Sequence, residues 1–209
     1  MGLRPHDLVR LARPDALISH SQQPEWVAPS LGRAPYAVIR RVPLMPGMVP
    51  IGVRGEARSE RFAAFVDDGN IAEIITPEQL AVQQAWNKRD RTHQIGALQS
   101  LPFIARLFAD NALPWGPVGS VGFELASGLV TAKATSDLDV VVRVPEPLDW
   151  KIAAELYDEL GKAPARVDVQ LETPLGAIAL AEYASPVRPL LLKTVHGPRL
   201  TADPWDASV

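Results

Sequence analysis

Cysteine is absent from this chain. That excludes a disulfide framework, a thiol nucleophile and any cysteine-rich metal site. Strong charge imbalance is also missing: the formal net charge is −3 over 209 residues, which argues against broad nucleic-acid binding, since that calls for a basic surface. No apolar run approaches membrane-spanning length, and the opening Met1-Gly2-Leu3-Arg4-Pro5-His6-Asp7 carries no apolar signal region. A cytoplasmic protein with no membrane partner is the expectation. Two familiar phosphate signatures are missing as well. No Gly-Lys-Ser/Thr closes a P-loop, and no Gly-x-Gly-x-x-Gly marks a dinucleotide turn. Neither a Ser-His-Asp hydrolase elbow nor a zinc-like ligand spacing is present.

What remains is a chain with 47% hydrophobic residues, enough for one large or two small cores. Its 20 prolines and 14 glycines are dispersed, so they punctuate short elements instead of marking one disordered tract. The first 76 residues read as a small β-rich domain, with a helical start over Pro5 to Leu11. Strands are expected at Tyr36 to Val42, Val49 to Val53 and Asn70 to Ile75, and Ser59 to Phe65 is extended or a short helix. Thr76-Pro77-Glu78 is a helix-start signal: a capping threonine, proline at the first position and an acid in the first turn. The boundary falls there, giving domains 1–76 and 77–209. Helices are expected over 78–87 and 92–110, the second carrying Leu98, Leu101, Ile104, Ala105 and Phe108 on one face.

The most informative segment is Ser136-Asp137-Leu138-Asp139-Val140-Val141-Val142. Strand side chains alternate, so Asp137 and Asp139 share a face at the start of a strand that its valines require to be buried. Two carboxylates held side by side repel unless a cation joins them, and hard oxygen ligands of this kind suit Mg²⁺ with substrate phosphates. Asp168 lies between Val167 and Val169 in a second apolar strand and points the opposite way from both. A helix over Asp149 to Gly161 separates the two strands, capped by Asp149 and carrying Ile152, Leu156 and Leu160 at intervals of four. Strand, helix, strand lets Asp168 join Asp137 and Asp139 as a three-carboxylate metal and catalytic site. Upstream, Gly119-Ser120 follows the apolar stretch Leu113 to Val118. Glycine lets backbone amides approach a phosphate at a helix start, and Ser120 adds a hydroxyl donor. Lys193 and Arg199, around His196, are candidate phosphate contacts. Glu124 and Glu172 read as capping or surface groups. Arg33, Arg40, Arg41, Arg54, Arg58 and Arg61 against Glu56 and Glu60 form a basic stretch on which an acidic carrier protein could dock.

A Gly-Ser turn opening a helix, Asp-x-Asp on a strand and a later strand aspartate together resemble the nucleotidyltransferase superfamily. The flanking text is narrower. Trp115 to Gly128, Thr135-Ser-Asp-Leu-Asp139, Arg166-Val-Asp-Val-Gln-Leu-Glu-Thr-Pro174 and Leu191-Leu-Lys-Thr-Val-His-Gly-Pro198 are similar to the phosphoribosyl-dephospho-CoA transferases of malonate decarboxylase. The gap from Leu129 to Thr135 is long for the wider superfamily and fits the narrower family. The resemblance implies an α+β fold, with a nucleotidyltransferase-like mixed sheet flanked by helices behind the smaller β-rich domain. It also implies Mg²⁺, triphosphoribosyl-dephospho-CoA as donor, and a serine of the apo acyl-carrier subunit of malonate decarboxylase as acceptor, with pyrophosphate released. Two alternatives stay open: a nucleotidyltransferase using ATP or another nucleotide on a different acceptor, and a catalytically silent carrier-binding module.

Overall fold

Leu8, Val9 and Leu11 are buried and form an inner strand of the first sheet, not the expected helical start. The reason lies in what pairs with them. β1 (Leu8–Leu11) has a strand on either side, so its backbone groups are satisfied by ladders across the chain. His6, just before it, has φ 75, which no helix accommodates. The computed structural model describes residues 2–57, 59–88 and 90–206.

After β1 come a short helix α1 (Val27–Arg33) and four more strands: β2 (Tyr36–Ile39), β3 (Met48–Arg54), β4 (Arg61–Asp67) and β5 (Ile71–Ile75). They pair antiparallel in the order β4-β3-β2-β1-β5. The region read as extended or a short helix over Ser59 to Phe65 is strand from Arg61 onward, and β2 stops short of Val42. Val9, Leu31, Ile51 and Val66 are among the residues of this sheet's own core.

The chain passes to the second sheet at Thr76. Its hydroxyl accepts from the Gln79 N–H, and the Gln79 side chain accepts from the Thr76 N–H, a capping box with Pro77 at the first position of α2 (Pro77–Val82). This helix is shorter than expected, and a 3-10 turn over Ala85–Lys88 follows it. The helix expected over 92–110 is broken into α3 (Gly96–Gln99) and α4 (Leu101–Asp110). Pro102 has no N–H to donate back to Leu98 and its ring crowds that carbonyl, so the helix restarts there. Leu101, Ile104 and Phe108 still face the core, as their spacing requires.

Beyond α4 the order is β6 (Trp115–Pro117), α5 (Gly119–Ser127), β7 (Leu138–Arg143), α6 (Trp150–Leu160), β8 (Val167–Thr173), β9 (Gly176–Ala179), α7 (Leu180–Ala184), β10 (Leu190–Thr194) and β11 (Gly197–Thr201). The sheet runs β11-β10-β9-β8-β7-β6. Among the described residues only β7 and β8 pair parallel, joined by α6, so the sheet is mixed and the class is α+β. Asp149 caps α6 by accepting from the Lys151 and Ile152 N–H groups. Its buried stripe is Ala153, Leu156 and Leu160; Ile152 lies on the open side.

Period-two alternation gives this sheet two unlike faces. Leu138, Val140, Val142, Val169 and Leu171 enter the larger core with Leu98, Ile104 and Phe108. Asp139, Val141 and Arg143 on β7, with Asp168, Gln170 and Glu172 on β8, point the other way, toward the first domain. His6 Nε2 lies 3.1 Å from Gln170 Oε1 and 3.3 Å from Glu172 Oε1, and Arg41 also binds Glu172. Arg143 Nη2 donates to the Pro5 carbonyl at 3.2 Å. The two domains thus meet over one half of a polar sheet face.

Candidate active site

Asp137 stands one residue before β7 and Asp139 is its second residue. In the parallel register Asp139 lies directly opposite Asp168. Strand partners in register share a face, so these two carboxylates look out side by side. The Leu138 N–H donates to the Arg166 carbonyl at 2.9 Å, which brings Asp137 beside Arg166 at the start of the neighbouring strand. Asp137, Asp139 and Asp168 are all partly exposed.

The Gly119–Ser120 turn closes on the same spot. The Val118 N–H donates to the Asp139 carbonyl at 2.9 Å, tying the start of α5 to the start of β7. Gly119 has φ +63, and a Cβ built on it would stand 2.9 Å from Asp139 Cγ and closer still to Oδ2. Only glycine allows both this conformation and this approach. Bare backbone, the first turn of a helix and a pair of carboxylates therefore meet at one point.

The segment between α5 and β7 is held by Glu124, which the sequence placed on the surface or at a cap but which is buried. Its Oε2 accepts the Thr131 and Ala132 N–H groups, both at 2.8 Å, and its Oε1 accepts from Arg91 Nη1 at 2.8 Å. Arg91 also donates to the Ala132 carbonyl, and the Thr131 hydroxyl donates to the Ser120 carbonyl at 2.7 Å. Glu124 thus folds the long gap back over the Gly-Ser turn and delivers Asp137 to its position. An acid between Phe123 and Leu125 on an otherwise apolar helix face was the available signal.

Glu172 is likewise buried, not a surface group. It collects His6, Arg41 and, at 3.7 Å, Arg143, whose Nε also donates to Glu78 at 2.8 Å. Burial alone would push the Glu172 carboxyl up; the His6 hydrogen bond and the Arg41 charge more than offset this and hold it below the usual range. For Asp7, burial wins over the Arg4 N–H and the Arg143 charge, and its carboxyl is pushed up. Arg41 is therefore committed to the domain junction, and Arg33 is paired with Glu56. Arg58 lies outside the described residues. The basic stretch is not one free patch.

Lys193 and Arg199 do not join the aspartates. Lys193 faces Ala177, which faces Glu172, so it shares the acidic face but stands two strands over and level with the far end of β8. Arg199 is opposite Leu192, which is buried; it belongs to the other face. His196 is exposed in the β10–β11 turn, where its N–H donates to the Thr194 hydroxyl.

Mg²⁺ is a hard cation that takes one or two protein carboxylates together with other oxygen donors. Asp137 and Asp139 suit that pairing. Asp168 is engaged by Arg166, with Nε at 3.0 Å and Nη2 at 2.9 Å from its Oδ1. Among the described residues no three His, Cys, Asp or Glu side chains group closely enough to hold an ion by themselves. Also among the described residues, no helix is long and apolar enough to cross a membrane.

Known proteins match nearly the whole length of the chain. Residues 4–77 match the family model described as phosphoribosyl-dephospho-CoA transferase MdcG N-terminal domain, and residues 79–204 match its C-terminal domain. A phosphoribosyl-dephospho-CoA transferase of Pseudomonas putida (strain GB-1) is 41% identical over 206 residues, covering 98% of this chain and 96% of its own. Proteins of the same name from Klebsiella pneumoniae (strain 342) and Azotobacter vinelandii are 39% and 38% identical, each covering 97% of this chain and 96% and 94% of their own. No solved structure matches.

Proposed function

Because the chain belongs to the phosphoribosyl-dephospho-CoA transferase MdcG family, we propose that it attaches the phosphoribosyl-dephospho-CoA group to a serine of the apo acyl-carrier subunit of malonate decarboxylase. The donor is triphosphoribosyl-dephospho-CoA. The serine oxygen attacks the phosphorus next to the ribose, a new O–P bond forms, the bond to the outer two phosphates breaks, and pyrophosphate leaves. One observation carries the reading: the Gly119 backbone closes on the carboxylate of Asp139, which is register-paired with Asp168.

Each residue then has a task. The first turn of α5 offers backbone N–H groups and the Ser120 hydroxyl to the departing phosphates. Asp168 orients the incoming serine and receives its proton. Asp137 and Asp139, with Asp168, would hold Mg²⁺, which when bound supplies charge neutralisation to phosphate oxygens. Glu124 keeps the connecting segment closed over the turn, and the Glu172 cluster fixes the first domain against the same sheet face. Lys193, on that face but remote from the aspartates, would meet the far end of a long donor. The work is positioning and charge stabilisation.

The test is donor choice. The purified chain is incubated with the apo carrier and either triphosphoribosyl-dephospho-CoA or ATP, and pyrophosphate is measured. Release confined to the first donor is expected. Release with ATP alone would move the chain to a different transfer, and release with neither would leave a binding module.

A further inference from the structure

The acidic site already contains a cation of its own. Arg166 donates from Nε to Asp168 Oδ1 at 3.0 Å and holds Nη2 at 2.9 Å from the same oxygen. Its backbone carbonyl binds the Leu138 N–H, so Arg166 sits beside Asp137 across the strand pair. The side chain is nonetheless 73% exposed and that of Asp168 44%. An ion pair this open is worth little to stability. It is close enough to quench the repulsion among the carboxylates and loose enough to leave.

We propose that Arg166 is a positioning residue that works as a charge latch: it neutralises the aspartates in the empty site, competes with a divalent cation for Asp168, and turns its guanidinium to the donor's phosphates once displaced. The inference rests on the reading above that this face receives a polyphosphate donor with a divalent cation. Two physical points favour it. The guanidinium lies at the open end of the strands, so rotation about its side chain exposes its donors without moving the backbone. Arginine's planar fork also matches phosphate as well as carboxylate, so the same group serves both partners.

The latch makes opposite changes in two binding constants, which a plain surface ion pair does not. Mn²⁺ binding to the full-length, donor-free chain is followed by electron paramagnetic resonance, and binding of inorganic tripolyphosphate is followed with Mn²⁺ present. Arg166→Ala should bind Mn²⁺ about three- to tenfold more tightly than wild type, because a competitor and a like charge are gone. It should bind tripolyphosphate about tenfold or more weakly, the loss of a charged hydrogen bond. Arg166→Lys should fall between, and the gain in Mn²⁺ affinity should vanish when Asp168→Asn is combined with Arg166→Ala. Thermal melts confirm folding, which an exposed substitution leaves intact. If wild type binds Mn²⁺ and Arg166→Ala binds it equally or more weakly, or if tripolyphosphate affinity is unchanged, the latch is overturned while the cation site stands. If neither protein binds Mn²⁺, the latch and the cation reading fall together.

Discussion

Gly119→Ala isolates the contact on which the site is built. Two costs are expected. An alanine held at φ +63 pays about 1–2 kcal/mol for the left-handed conformation. Its new methyl must also displace the Asp139 carboxylate, whose Cγ lies 2.9 Å from the built Cβ, an overpacking term of about 1–3 kcal/mol. Together the change should destabilise the second domain by roughly 2–5 kcal/mol and stop turnover, since it moves a proposed reacting group. A double-mutant cycle separates the terms. In an Asp139→Ala background the carboxylate is gone and only the Cβ, 3.0 Å from the built Cβ, remains, so Gly119→Ala should then cost less, falling toward the backbone share of about 1–2 kcal/mol. Urea unfolding of the four proteins, followed by circular dichroism, gives both numbers. An identical cost in the two backgrounds would show that glycine and aspartate do not meet.

Three further outcomes follow. Asp137→Ala and Asp139→Ala should each abolish pyrophosphate release at saturating Mg²⁺ while leaving the thermal melt near that of wild type, because both carboxylates are partly exposed; a folded variant with full turnover would remove that residue from the site. Ser120→Ala should weaken the donor and spare the carrier, by roughly 1.5–3 kcal/mol for one hydrogen bond to a charged group, or about one to two decades; titrating the two substrates separately decides it, and a defect confined to the carrier would take Ser120 off the phosphates. Glu172→Gln should destabilise the domain junction by about 1–3 kcal/mol at neutral pH, since Arg41 loses its charged partner while Arg143 keeps Glu78. Glu172 is held below its ordinary value of 4.5, so its contribution is complete above that pH and is lost as pH falls through the lower folded value. Stability curves of wild type and variant should therefore converge only in acid; a gap independent of pH would assign the effect to packing.

The acidic motif was legible because its signals are local. Asp-x-Asp before three valines, the capped α6 and the alternation around Asp168 each depend on neighbours within a few residues, and strand, helix, strand then forces a parallel pair. The Gly119–Ser120 turn was readable for the same reason. What the sequence hid was long-range pairing. Glu172 meets Arg41 across 131 positions and Glu124 meets Arg91 across 33, so two acids that look like surface groups are buried hubs. β1 was misread because Pro5-His6-Asp7 imitates a helix start, whereas the strands on either side of Leu8–Leu11 decide its state. Arg40 and Arg41 look alike in sequence, yet Arg41 closes the domain junction. A charge reversal there would place an acid against Glu172 and disrupt stability, so it cannot report on carrier docking. Lys193 and Arg199 are close in sequence, but strand alternation sends them to opposite faces of the sheet.

The most direct measurement is intact-mass spectrometry of the apo acyl-carrier subunit after incubation with this chain, Mg²⁺ and triphosphoribosyl-dephospho-CoA. One phosphoribosyl-dephospho-CoA adduct per carrier is expected, on a serine, matched by one pyrophosphate and absent with Asp139→Asn. A carrier that keeps its original mass in the presence of folded wild-type chain and intact donor would contradict the account.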